Sequence, residues 1–252
     1  MKNLFYLLFT VCLCNNHPAL SQSSAKPVYV VVHGAWGGSW AFKKVDSLLS
    51  EQGCMVYRPS LTCQGERVHL ASLEVGLNTH VLDVVNLILY EDLHDIILVG
   101  HSYGGMVVTG VADSLSGRIK KLIYLDAFEP ENGESLFSIQ GARAEGMKNM
   151  GQNGFIVPRW VAADKLPPKD VPHPIKTLTD TLYLHNDLRP KIPTTYILTV
   201  AKGTKPEADD FAAQAESARK KGWPVLQLEA DHNPQWSATE AFVEMLRKIG
   251  KE

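Results

Sequence analysis

A serine at the apex of a glycine-rich turn is where this chain could do covalent chemistry. The stretch "ILVGHSYGGMVVTG" runs from a buried-looking aliphatic segment through Gly100-His101-Ser102-Tyr103-Gly104-Gly105 into a second apolar run. Glycines at such a junction let the backbone turn tightly and another segment come close. Gly100-x-Ser102-x-Gly104 between a strand and a helix is the context of a nucleophile elbow, which lifts a hydroxyl above the sheet. The helix that follows aims its free N–H groups at the same place.

A hydroxyl is a poor nucleophile at neutral pH and needs a base within hydrogen-bond reach. Of nine histidines, His232 in "LEADHNPQW" falls between the last strand and the last helix, the junction from which such a fold draws its base. His101 adjoins Ser102 but should diverge from it at the elbow. His69, His80 and His94 lie in stretches without turn glycines, and His173 and His185 in an irregular region. Acyl transfer also needs two donors aimed at the developing oxyanion. The turn "VVHGAWGGSW" supplies one, the Ala35 N–H, with the His33 side chain bracing the loop; the Tyr103 N–H supplies the other.

These residues need a scaffold, and the pattern provides one. Short β-branched runs alternate with amphipathic segments: "PVYVVV", "CMVYRP", "DIILVG", "KKLIYLDA", "TTYILTV" and "PVLQLEA" as strands, with helices from 77 to 93, from 103 to about 115 and after Pro206. Apolar strands in strand–helix alternation predict a mostly parallel sheet covered on both faces. A last helix is expected to open at Ser237, with Ser237 and Glu240 as a capping box. Residues 130 to 190 break the rhythm, are rich in Pro, Gly and Lys, and are expected to form a lid. Its Met147, Phe155 and Trp160, with Trp36, are the expected pocket residues.

The 252 residues suit one domain, with 45% hydrophobic and 21% charged residues. A net charge of −2 with scattered Lys and Arg gives no footprint for nucleic acid. No paired ligand spacing among the histidines suggests a metal, and the chemistry needs no organic cofactor. The first 21 residues read as a signal peptide: Lys2, an apolar run from Leu4 to Cys14, then Ala19 and Ser21. That run is about half the ~20 residues of a membrane span, so a secreted or periplasmic domain from residue 22 to 252 is expected, without stable membrane insertion. Bulky residues before Cys12 and Cys14 disfavour a lipid anchor. Cys54 and Cys63 then remain. The strand between them separates its ends by roughly 15 Å, beyond the about 7 Å of bridged Cα atoms, so two free thiols are expected. Nothing here fixes the oligomeric state.

The pieces "VVHGAWGGSWAF", "RPSLTCQGERVHLAS", "VLDVVNLILYEDL", "ILVGHSYGGMVVTGVAD", "LIYLDAFEPENGESLF" and "ADHNPQW" together resemble the α/β-hydrolase superfamily. Within it, the resemblance is to bacterial carboxylesterases related to plant methylesterases and hydroxynitrile lyases. It implies an α/β-hydrolase fold, a lid after the strand ending at Asp126, and a small-molecule ester as substrate. Lyases of this kind have a Lys just after the catalytic His; this chain has Asn233 there, so C–C lyase activity stands second to ester hydrolysis, and a non-catalytic binding protein is a third reading. Most relatives carry the triad acid after the strand that here reads "TTYILTV", yet no carboxylate stands at that strand end. Asp126, closing "LIYLDA", is the first candidate for the acid, with Glu207 and Asp209 as the others; Asp231 is too near His232 in sequence.

Overall fold

The computed structural model describes residues 26–251, so the expected signal peptide lies outside the described residues. The chain alternates as its pattern predicts: β1 (Val28–Val32), α1 (Lys43–Glu51), β2 (Met55–Tyr57), α2 (Leu77–Tyr90), β3 (Ile96–His101), α3 (Gly104–Ser114) and β4 (Ile119–Leu125). After the region that follows β4 come β8 (Thr194–Val200), α7 (Ala212–Lys220), β9 (Val225–Glu229), α8 (Pro234–Ser237) and α9 (Thr239–Lys251). The six long strands form one sheet in the order β2-β1-β3-β4-β8-β9, every neighbouring pair parallel.

Alternation along each strand divides the core in two, because successive side chains point to opposite faces. Val30, Val32, Leu98, Leu122, Tyr124, Tyr196 and Leu198 pack on one face under α2 and α3. Tyr29, Val31, Ile97, Val99, Ile123, Leu125 and Ile197 pack on the other, against Val45 and Leu49 of α1 and Phe242, Val243 and Leu246 of α9. A strand buried on both faces is largely apolar along its length, which is why β1 and the body of β3 show no polar alternation.

The region between β4 and β8 is ordered by short elements: α4 (Leu136–Gln140), α5 (Ala144–Lys148), β5 (Gly151–Gln152), β6 (Phe155–Ile156), β7 (His173–Pro174) and α6 (Lys176–Thr179). The strands β5, β6 and β7 form a small antiparallel sheet, and Leu136, Ile156 and Leu178 of this cap join the core on the α2–α3 side.

Two expected helix starts are displaced. Ser237 ends α8 and its hydroxyl donates to Asp231 Oδ1 at 2.8 Å, so no Ser237–Glu240 capping box forms and α9 begins at Thr239. Pro206 opens only a short 3-10 turn (Pro206–Ala208), and α7 starts at Ala212, after an Asp209 carboxylate that accepts from the Phe211 N–H at 2.9 Å. Cys54 and Cys63 are free thiols.

Candidate active site

In a parallel sheet all strands end at one edge, so the loops after β1, β3, β4 and β9 meet there. Ser102 follows β3 with a φ of 54°, in the left-handed region. Its N–H donates to the Leu125 carbonyl (3.2 Å), and its carbonyl accepts from the Gly105 and Phe128 N–H groups (3.0 and 3.2 Å). The glycine after it is a steric requirement: a Cβ on Gly104 would stand 2.6 Å from the Val32 carbonyl oxygen. Strain of this kind persists only where the surroundings over-determine it, and here both neighbouring strands grip the turn.

His232, after β9, joins Ser102 to Asp126. Its Nε2 lies 3.0 Å from Ser102 Oγ and its Nδ1 lies 2.6 Å from Asp126 Oδ2. Asp126 follows β4, is 1% exposed and has a φ of 45°. A buried carboxylate needs partners on both oxygens, and Oδ1 accepts the Thr199 N–H of β8 at 3.0 Å. Of the other two acid candidates, Asp209 caps Phe211 and Glu207 lies in the 3-10 turn; neither bonds to His232 among the described residues. Burial, before its other neighbours, raises the Asp209 pKa.

The His232 ring is also held between two others. Phe211 stacks on it at 4.9 Å with the planes nearly parallel, at 7°, and His101 packs against it at 4.8 Å. Among the described residues His101 makes no hydrogen bond to Ser102, yet it packs against the base. Its Nε2–H donates to the His232 carbonyl at 2.8 Å, drawing the ring back under the base. Burial, and then the proximity of His232, pushes the His101 pKa down to about 3.

The loop after β1 closes the site from above. His33 takes the bracing role expected of it: Nδ1–H donates to the Gly34 carbonyl (2.7 Å) and Nε2 accepts the Leu61 N–H (3.1 Å). Burial pushes its pKa to about 4. A Cβ on Gly34 would stand 3.0 Å from Ser102 Cβ and 3.2 Å from His101 Nδ1, so glycine lets this loop lie close against the elbow. Neither the Ala35 nor the Tyr103 N–H donates to a protein carbonyl among the described residues.

Trp36, with a φ of 64°, is tied to the cap by all its polar groups. Its N–H donates to His173 Nδ1 (3.3 Å), its carbonyl accepts from the Val171 N–H (2.9 Å), and its indole N–H donates to the Ile156 carbonyl (3.0 Å). The His173 ring meets the Tyr103 ring edge-on at 4.8 Å. The Tyr103 hydroxyl donates to His80 Nδ1 (2.9 Å), and His80 Nε2–H donates to the Thr62 carbonyl (2.8 Å). Sequence reasoning set His80 and His173 aside; the only hint was histidine on the otherwise apolar face of α2.

A cavity of about 370 Å³ opens on Ser102 and His232, walled by Trp36, Phe42, Trp160, Asp170, Gln235 and Trp236. Trp36 and Trp160 meet edge to face at 5.1 Å. Phe155 and Met147 are not among its walls, contrary to expectation. Phe155 lies on β6 beside Ile156, whose side chain enters the core, so alternation turns Phe155 the other way. Met147, on α5, packs half-buried against the core instead. Among the described residues no cluster of three or more His, Cys, Asp or Glu could hold a metal ion, and no helix is long and apolar enough to cross a membrane.

Comparison with known proteins places this geometry in a family. Over 111 residues the chain is 50% identical to the carbendazim hydrolyzing esterase of Nocardioides sp. (strain SG-4G), covering 44% of this chain and 46% of that protein. Methylesterase 2 of Arabidopsis thaliana is 26% identical over 137 residues, 54% of this chain and 52% of its own. The matches thus span about half the length of these curated relatives. An extracellular α/β-hydrolase from a Paenibacillus species superposes with a TM-score of 0.74 over 90% of this chain and 100% of its own, at 22% identity, and so shares the fold. The alpha/beta hydrolase family model matches residues 29–245, from the first strand into the last helix, and the chain belongs to that family.

Proposed function

We propose that this protein is a serine carboxylesterase that cleaves small, largely apolar esters through an acyl-enzyme. The observation that carries the reading is the unbroken line Ser102 Oγ–His232 Nε2 and His232 Nδ1–Asp126 Oδ2, at 3.0 and 2.6 Å. Asp126, an acceptor, holds the proton on Nδ1 and leaves Nε2 free to accept the one from Ser102. Ser102 Oγ attacks the ester carbonyl as its proton passes to Nε2. The carbonyl oxygen becomes an oxyanion facing the Ala35 and Tyr103 N–H groups. Collapse expels the alcohol, which takes the proton from Nε2. Water then attacks the acyl group, giving a proton to Nε2, and the acid departs as Ser102 recovers its hydrogen.

The names of the relatives support ester cleavage and put carbendazim and methyl esters on the panel of substrates to try. Asn233, where lyases of this scaffold have a lysine, speaks against cyanohydrin cleavage. The test is turnover of p-nitrophenyl and methyl esters beside a cyanohydrin, with Ser102→Ala as control. Ester hydrolysis that vanishes in a folded Ser102→Ala protein, and a serine-directed phosphonate that labels Ser102 alone, are the expected results. Activity surviving Ser102→Ala, or cyanohydrin cleavage outrunning ester hydrolysis, overturns the reading.

A further inference from the structure

The walls of the cavity over Ser102 carry an unusual balance of groups. Three of them are indoles, Trp36, Trp160 and Trp236, the last two largely exposed, with one face of Trp236 stacked on Trp40 at 5.7 Å. One is a carboxylate, Asp170. Its Oδ2 accepts the Trp160 indole N–H at 2.8 Å, which fixes the carboxylate against that ring. Among the described residues Asp170 has no other hydrogen bond and no cationic partner. No Lys or Arg lines the cavity. Its two buried histidines, His33 and His101, are held neutral by burial, with pKa values near 4 and 3. Asp170, the one carboxylate among the cavity walls, therefore stands beside indole rings with no cationic side chain opposite it.

We infer that this cavity selects esters of aromatic nitrogen bases, in which a flat ring carrying a positive nitrogen lies among Trp36, Trp160 and Trp236 with its charge toward Asp170. Indole faces attract cations through the ring quadrupole, and Asp170 adds a charge-assisted contact. The same field repels an ester that bears a carboxylate. The inference rests on the esterase reading for turnover but not for binding, and the two separate in the test.

Three methyl esters of one shape serve as probes: methyl 1-methylquinolinium-6-carboxylate (cation), methyl naphthalene-2-carboxylate (neutral) and the monomethyl ester of naphthalene-2,6-dicarboxylic acid (anion). The expected order of kcat/KM is cation, neutral, anion, with about tenfold between the first two. Asp170→Asn should lower kcat/KM for the cation by a larger factor than for the neutral ester, bringing the two close together. Trp160→Leu should weaken both. Added salt should narrow the spread, since the site is open to screening. Binding of the same three probes to the Ser102→Ala protein, read by quenching of indole fluorescence, should follow the same order whether or not the wild type turns them over. Equal binding of all three, or a cation preference that survives Asp170→Asn, overturns the inference while leaving ester hydrolysis standing. Binding in the expected order without turnover would instead remove the esterase reading and keep the site.

Discussion

The backbone N–H of Trp36 donates to Nδ1 of His173 at 3.3 Å, so a residue of the cap holds the loop over Ser102. His173 Nε2–H in turn donates to the Thr177 hydroxyl at 2.7 Å, which leaves Nδ1 as the acceptor. The same ring packs edge-on against Tyr103. One neutral histidine therefore touches both segments that carry the proposed oxyanion donors.

His173→Leu should for that reason lower kcat by about tenfold or more with little change in KM, short of the ~10²–10³ lost when an oxyanion donor is removed outright. His173→Asn, whose Oδ1 can stand where Nδ1 stood, should recover much of the loss. Steady-state kinetics on one ester with the three proteins decides it; equal losses in Leu and Asn variants would show that packing alone matters.

Asp126→Asn should keep the shape of the site but favour the wrong imidazole tautomer, and kcat should fall by up to ~10⁴-fold. Asp209→Asn and Glu207→Gln should leave kcat within about twofold, since neither carboxylate bonds to His232 and a helix-start charge contributes only about 0.3–1 kcal/mol. The comparison needs kcat for the three variants, with circular dichroism to establish that each is folded.

Gly104→Ala puts a methyl group 2.6 Å from the Val32 carbonyl and 2.8 Å from that of His33. Overpacking against fixed backbone costs about 1–3 kcal/mol, so urea unfolding should move to lower concentration. Activity should fall further than stability, because the strand that must give way leads directly into the loop over Ser102.

Acid should destabilise the fold early. His33 and His80 are held near 4 and His101 near 3, in each case chiefly by burial, whereas in the unfolded chain they titrate near ~6.5. As pH falls below that value the unfolded chain takes up protons first, so the stability present above it is lost progressively toward pH 4. Melting temperature measured from pH 7 to pH 4.5 should drop, and His80→Gln should make the slope shallower. A flat profile would mean that these rings are charged or solvated in the folded state.

Much of this was legible in the sequence because it follows from local rules. Most of the sheet strands are short, largely apolar runs bounded by turn residues, and Ser102 announces itself by the glycines of its crowded turn. The meeting of His232 and Asp126 could be anticipated because both stand at strand ends that a parallel sheet gathers at one edge. What sequence could not give was contact between the cap and the rest. The cap strands are two residues long, too short to carry periodicity, so nothing foretold which of Phe155 and Ile156 enters the core. His80 and His173 were invisible because their partners lie far along the chain, 23 residues away for His80 and Tyr103 and 137 for His173 and Trp36. Ser237 failed as a cap because Asp231, brought close by the turn into α8, competes for its hydroxyl.

Asp126 follows β4 directly, with Thr199 of β8 doing no more than lending it a backbone N–H. The segment from 201 to 211 between β8 and α7 is thereby relieved of carrying the partner of His232, and its side-chain contact with that ring is the face of Phe211. A loop freed in this way is a natural place for grafting. Segments of other length and composition could be exchanged there to reshape what adjoins the imidazole while its proton stays fixed from the opposite side.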